Sequence, residues 1–226
     1  MTNVANSEIK KHNILVLDDD IVVNELICLK LESKELLVRG TTEVAEALTM
    51  LEHQKFDLLL IDYRLSDMTA VEVINELKKR NIDIPYVVLT GFSDQKIAVE
   101  MMKLGAKDLF IKDPQVFDLL PSSILKIIED EHKRKDFEKL EQRYKKLFNS
   151  IRDGFVSVDF EDNFIEFNDS FVELTGYSKD ELMEKKYAEL SPKKWVDKEQ
   201  EIIKNIVLSR GYSDLYLKKF IRKDGV

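Results

Sequence analysis

Five short aliphatic runs punctuate the first half of the chain: Ile14-Leu15-Val16-Leu17, Leu36-Leu37-Val38, Leu58-Leu59-Leu60-Ile61, Tyr86-Val87-Val88-Leu89 and Leu109-Phe110-Ile111. They are continuously apolar instead of alternating with polar residues, which is the pattern of parallel strands covered on both faces. Between them, amphipathic stretches at about 21–33, 43–53, 70–80 and 94–104 predict helices, and a last helix is expected after Pro121. Strand and helix in regular alternation predict a doubly wound α/β domain over 13–128 with right-handed crossovers. A polar segment, 1–12, precedes it.

The pattern then changes twice. From Glu129 to Lys146, 13 of 18 residues are charged, six acidic and seven basic, without Gly or Pro. Mixed charge without helix breakers predicts a solvated helical linker over 129–150. Within it Phe137, Leu140, Tyr144, Leu147 and Ile151 step by three, four, three and four, the spacing of a short coiled-coil seam through which two chains would pair. The alternative is one amphipathic helix lying on its own domain. From Asp153 onward, Gly154–Phe160 alternates as a half-buried strand, Glu161-Asp162-Asn163 supplies a turn, and Phe164–Phe167 returns as a second strand. Short helices are expected around 169–175 and 179–184, a longer one near 197–209 ending at Gly211, and a last strand over Asp214–Ile221.

Composition narrows the class. The 226 residues allow one large or two small domains. Hydrophobic residues make up 44% and charged ones 35%, too apolar for a disordered chain. No apolar run approaches the roughly 20 residues that span a bilayer, and the polar start lacks the core of a signal peptide. Cys28 is the single cysteine, which excludes an internal disulfide and an all-cysteine metal site. The net charge of -8 without a basic stripe argues against nucleic acid as a partner. A soluble, cytoplasmic, two-domain protein with no membrane partner is expected.

In an open parallel sheet, ligands bind beyond the carboxyl ends of the strands. The polar residues following the apolar runs are Asp18-Asp19-Asp20, Asp62, Thr90 and Lys112. Taken singly each has a structural explanation: Asp20 as an N-cap, Asp62 in a turn, Thr90 opening a loop. Taken together, carboxylates, a hydroxyl and a lysine on one sheet edge point to a cation, because the like charges otherwise repel. Hard oxygen donors without His or Cys select magnesium. A carboxylate beside such an ion, with a lysine and a hydroxyl in reach, can accept a phosphoryl group as an acyl phosphate.

The stretches ILVLDDD, DLLLIDYRL, VVLTG and GAKDLFIKD, with spacings of 43 from Asp19 to Asp62, 28 on to Thr90 and 22 on to Lys112, resemble the receiver domain of two-component response regulators. The resemblance implies a flavodoxin-like five-stranded fold and phosphorylation of Asp62 by a partner histidine kinase or phosphotransfer protein. It implies that Asp19 is a direct magnesium ligand with Asp62, that Asp18 acts mainly through water, and that the Arg64 backbone carbonyl completes the protein ligands. Lys112 would pair with the phosphoryl group and Thr90 would swing toward it. The chain departs from the family at Leu109, where Tyr or Phe is usual, and at Asp113, where Pro is usual, with Pro114 one residue later. Ser66 and Ala70 stand where Pro and Gly are common. A trans Lys112–Asp113 peptide follows, since a cis bond to a non-proline residue costs about 2.5–4 kcal/mol.

The segment LFNSIRDGFVSVDFEDNFIEFNDSFVELTGYSKDELM, with the later FIRKDG, resembles the first part of a PAS sensor domain, an α+β fold over 151–226. A full PAS sheet has five antiparallel strands, so a partial fold with its C-terminal strands missing is expected, its ligand pocket open or absent. Beyond residue 132 there is no His and no Cys, so a histidine-ligated haem or a cysteinyl-flavin is chemically excluded there. Of the remaining singular residues, Cys28 reads as a small core hydrophobe and His53 as a surface cap. His132 does not match a kinase phosphoacceptor motif, with Lys133-Arg134-Lys135 beside it. Two functions are compatible with these readings: a phosphorelay protein signalling through a helix to a PAS module, or the N-terminal part of a larger signalling enzyme, a hybrid histidine kinase or cyclase, whose catalytic domain lies beyond residue 226. A receiver by itself catalyses only its own phosphorylation and dephosphorylation. A DNA-binding regulator is disfavoured, since no recognition helix is visible.

Overall fold

The structure, a computed structural model, describes residues 11–91 and 95–225. These divide into two compact units, with the boundary between Asp136 and Phe137.

The first unit is built on a five-stranded parallel sheet in the order β2-β1-β3-β4-β5. Its strands are β1 (His12–Leu17), β2 (Leu36–Thr41), β3 (Leu58–Asp62), β4 (Tyr86–Thr90) and β5 (Asp108–Ile111). The apolar runs are continuous because successive side chains enter two different cores. Leu15, Leu17, Leu59, Ile61 and Val88 pack under α2 (Val44–His53), α3 (Ala70–Lys79) and α4 (Gln95–Leu104). Ile14, Val16, Leu58, Leu60, Val87 and Leu89 pack under α1 (Ile21–Leu31) and the first turns of α5 (Pro114–Ser150), where Ile27, Leu31, Leu120, Ile124 and Ile128 meet them. Each such large side chain contributes roughly 1.5–3 kcal/mol when fully buried.

The last helix starts earlier than expected. It begins at Pro114 and not after Pro121, because Asp113 caps it: the Asp113 carboxylate accepts the Gln115 N–H at 2.8 Å. Proline at the first helical position gives up a donor that has no intrahelical partner anyway. Pro121 lies inside α5 and removes the donor that the Phe117 carbonyl would receive. The helix persists through it because Leu120 and Ile124, both 0% exposed, anchor the flanking positions in the core.

The second unit contains the end of α5, then β6 (Val156–Val158) paired antiparallel with β7 (Phe164–Phe167). The turn between them is organised by Asp159, whose carboxylate accepts the N–H groups of Glu161 and Asn163, both at 2.8 Å. Three helices follow: α6 (Asp169–Thr175), α7 (Lys179–Met183) and α8 (Lys193–Ile202), the last running on through a π turn at Ile203–Val207 to Gly211. Phe164, Phe171, Leu182 and Leu190 form the core, with Phe220 packed against it. Asn168 is fully buried and ties this unit together. Its side-chain oxygen accepts the Phe155 and Phe171 N–H groups, and its amide nitrogen donates to the Asp153 carbonyl at 2.9 Å.

The strand expected over 214–221 does not form. The Ile221 N–H donates to Leu190 and the Lys223 N–H to Thr175, so both backbone groups are satisfied by helical turns and not by a neighbouring strand. Phe220 is held edge-on against Phe171, and Lys218 pairs with Glu199. Leu215 and Leu217, which share one face in a strand, stay exposed. With no adjacent strand edge to supply the ladder, side-chain anchors decide the path. Among the described residues no helix is long and apolar enough to cross a membrane.

Candidate functional site

The strand order reverses between β1 and β3, and the polar residues singled out in the sequence gather at that switch point. Asp18 and Asp19 follow β1, Asp62 ends β3, Thr90 ends β4 and Lys112 follows β5. Parallel pairing in register brings these ends together: Leu17 lies opposite Ile61, Asp62 opposite Leu89, and Thr90 opposite Ile111.

Lys112 is the centre of the arrangement. Its Nζ lies 2.7 Å from Asp18 Oδ2 and 2.8 Å from Asp62 Oδ1, and its backbone N–H donates to the Thr90 carbonyl at 2.8 Å. Carboxylate oxygens of Asp18, Asp19 and Asp62 lie within 4.8 Å of one another. Asp18 is completely buried and Asp62 and Thr90 nearly so. Burial pushes the Asp18 carboxyl above its ordinary value, against the opposing pull of Lys112. Burial also pulls on the Lys112 ammonium, but its hydrogen bonds to Asp18 and Asp62 outweigh that and hold it above the usual lysine range. The group is therefore a partly desolvated cluster of three carboxylates in which one ammonium bridges Asp18 and Asp62. A cleft of about 210 Å³, lined by Asp62, Tyr63, Arg64, Thr90, Gly91 and Lys112, opens onto it.

The neighbouring backbone fixes these groups. The Asp20 N–H donates to Asp18 Oδ1 at 3.1 Å, and the Arg64 N–H donates to Asp62 Oδ2 at 3.3 Å. Asp20 stands apart from the cluster as the cap of α1, accepting the Val22 and Val23 N–H groups. Leu109 is half-buried and packs against the α4 side of the core. No cis peptide occurs among the described residues, so Lys112–Asp113 is trans. A residue the sequence reading passed over is Asn24. Buried on α1, it donates to the carbonyls of Asp18 (3.2 Å) and Thr41 (2.9 Å) and so pins the loop carrying the aspartates. Its signal was a polar residue in helical phase with Ile27 and Leu31.

The other expected residues lie elsewhere. Phe137, Leu140, Tyr144, Leu147 and Ile151 remain between 46% and 68% exposed, and the Tyr144 hydroxyl donates to Glu166. Cys28 is half-buried, with burial pushing its thiol up to about 11, and His53 lies at the exposed end of α2, its Nδ1 2.9 Å from the Thr49 carbonyl. In the second unit, a cleft of about 600 Å³ is bounded by Val158, Ile165, Tyr187, Val196, Ile203 and Tyr216. Its rim is open to solvent, since Ile165 and Ile203 stay exposed.

Comparison with known proteins agrees with this fold. Residues 14–122 match the response regulator receiver domain family, and residues 142–225 match the PAS fold family. The chain carries a response regulator receiver domain followed by a PAS domain. It is 34% identical over 120 residues to the transcriptional regulatory protein ZraR of Escherichia coli (strain K12), which covers 53% of this chain and 27% of that protein. It is 30% identical over 112 residues to the acid tolerance regulatory protein ActR of Rhizobium meliloti, covering 50% of this chain and 58% of that one. The signal receiver domain of a putative Luxo repressor protein from Vibrio parahaemolyticus shares the fold: TM-score 0.50, 22% identity, over 57% of this chain and 96% of that chain. The chain spans about a quarter of the length of the first curated relatives it matches.

Proposed function

We propose that this protein acts in a phosphorelay, with Asp62 accepting a phosphoryl group from a histidine kinase or phosphotransfer partner in the cytoplasm. The supporting observation is the contact of Lys112 with Asp62 and Asp18 inside a buried carboxylate cluster. An oxygen-only donor set of this kind suits magnesium, which Asp19 and Asp62 would hold with the Arg64 carbonyl, Asp18 acting through water. The ion would neutralise charge on the transferring oxygens. Asp62 attacks phosphorus as the P–N bond of the donor's phosphohistidine breaks, the electron pair returning to the imidazole. Lys112 then exchanges its contact with the Asp62 carboxylate for one with the phosphoryl oxygens, and Thr90 turns its hydroxyl toward them. The signal passes along α5 to the PAS domain, and the exposed stripe on that helix pairs two chains as a homodimer.

Acetyl phosphate supplies the test. In magnesium the protein should take up one labelled phosphoryl group, and Asp62→Asn should take up none. Labelling of Asp62→Asn at the wild-type rate would place the acceptor elsewhere.

A further inference from the structure

The chain has three histidines, and two of them converge on one aspartate at the end of the sheet opposite the carboxylate cluster. His12 opens β1, Asp57 immediately precedes β3, and His132 lies on α5 one turn past Ile128. The parallel pairing of β1 with β3 sets the starts of these strands side by side. The Asp57 N–H donates to the Asn13 carbonyl and the Asn13 N–H to Asp57 Oδ2, both at 2.8 Å, so the carboxylate is fixed against the strand. His12 Nδ1 lies 3.7 Å from Asp57 Oδ2, and His132 Nε2 lies 3.4 Å from Asp57 Oδ1. The two rings are 5.3 Å apart, and one ligand atom from each residue lies within 4.8 Å of the others. The His12 side chain is 9% exposed, against 27% for Asp57 and 32% for His132, so the cluster has one open side. A groove of about 480 Å³ runs past both histidines and carries Glu35, Glu129 and Asp136.

We propose that His12, Asp57 and His132 form a binding site for a divalent transition metal of the zinc class. Two imidazoles and a carboxylate are a donor set that zinc accepts, with water in the fourth position, whereas magnesium avoids imidazole. Ligand atoms about 2.0–2.2 Å from a tetrahedral ion stand roughly 3.3–3.6 Å from one another. His12 and His132 meet different oxygens of the Asp57 carboxylate, at 3.7 and 3.4 Å, and with one atom from each residue the three lie within 4.8 Å, so a small closing of the cluster reaches that edge length. The carboxylates of the groove favour entry of a cation. Binding would fasten α5 to the starts of β1 and β3, in contrast to the carboxylate cluster at the far ends of the same strands. The competing explanation, protonated histidines paired with Asp57, needs no metal, and titration separates the two.

The full chain, stripped with chelator and kept in excess magnesium to occupy the carboxylate cluster, is titrated with zinc chloride by calorimetry. Cobalt is added to a parallel sample for its visible spectrum. One tight zinc equivalent, the intense bands of tetrahedral cobalt and a zinc-dependent rise in melting temperature are expected. His132→Ala, at a half-exposed helical position that alanine suits, should weaken zinc by at least about 10–100-fold and abolish the cobalt bands. Its magnesium-dependent phosphoryl uptake at Asp62 should be unchanged, and His132→Gln should repeat the result with the side-chain volume retained. Absence of zinc uptake by the wild type, or equal affinity in wild type and both His132 variants, overturns the proposal. So does a zinc site that disappears with Asp19→Asn instead.

Discussion

Gly40 stands opposite Val16 in the β1–β2 ladder, and a Cβ built there would lie 2.0 Å from Asn24 Oδ1 and 2.7 Å from Cys28 Sγ. The position is glycine because α1 crosses the strand at this point with no room for a methyl group. Gly40→Ala should cost about 1–3 kcal/mol in urea unfolding, the range for overpacking a tight core. It should also slow phosphoryl uptake, since the displaced Asn24 is the side chain that holds the Asp18 carbonyl. Wild-type stability in the variant would show that α1 yields at no cost. Residues differ in how openly the chain announces them. Asp18, Asp62, Thr90 and Lys112 were legible because each follows an apolar run, and parallel strands collect their carboxyl ends on one edge. Gly40 is not, because a close approach between a helix and a strand leaves no periodic trace, and Asn24 shows only as a polar residue in helical phase with Ile27 and Leu31. His132 stands out in the sequence only as a residue that fits no kinase motif, and His12 does not stand out at all, since only the fold brings the start of the sheet and the middle of α5 together.

Among the elements, α7 gives the clearest pH prediction. Its Ser178–Glu181 capping box is reinforced from outside, where Lys223 Nζ lies 2.6 Å from Glu181 Oε1. The hydrogen bond from Lys223, followed by that from the Ser178 N–H, pushes the Glu181 carboxyl down to about 2 from an ordinary 4.5. A carboxyl depressed in the folded state adds stability above its unfolded value, and that contribution fades as pH falls from about 4.5 toward 2. Carbon-detected NMR titration should find the Glu181 midpoint far below the other glutamates, with Lys223→Ala moving it back up. A normal midpoint in the wild type would mean that the contact does not persist in solution. Helix ends of this kind were visible in the sequence, as Ser178 and Glu181 show. The start of α5 is equally visible in Asp113-Pro114, a cap followed by a first-turn proline, although the same two residues also depart from the receiver pattern, which has proline at 113. The segment 214–221 shows the opposite limit. Its alternation is that of a strand, yet a strand exists only where a partner edge does, and local pattern cannot supply one.

For the molecule as a whole, the exposed stripe on α5 carries the dimer reading. Leu140→Asp with Leu147→Asp should give monomers by light scattering, since each buried seam leucine contributes roughly 1.5–3 kcal/mol against the roughly 0–1 of a surface ion pair. A wild-type protein already monomeric at high concentration would remove the basis for pairing. The stripe also sets a rule of length. It is written on a helix that turns about 100° per residue, so seven residues added between Lys139 and Leu140 return the later half to within about 20° of its original bearing. Two added residues swing that half by about 200°, to the opposite side of the rod. The same light-scattering assay should therefore report dimers for the longer insertion and monomers for the shorter one. Evolution of this stretch would then proceed by whole repeats, and related proteins that share the stripe should differ in length there by sevens.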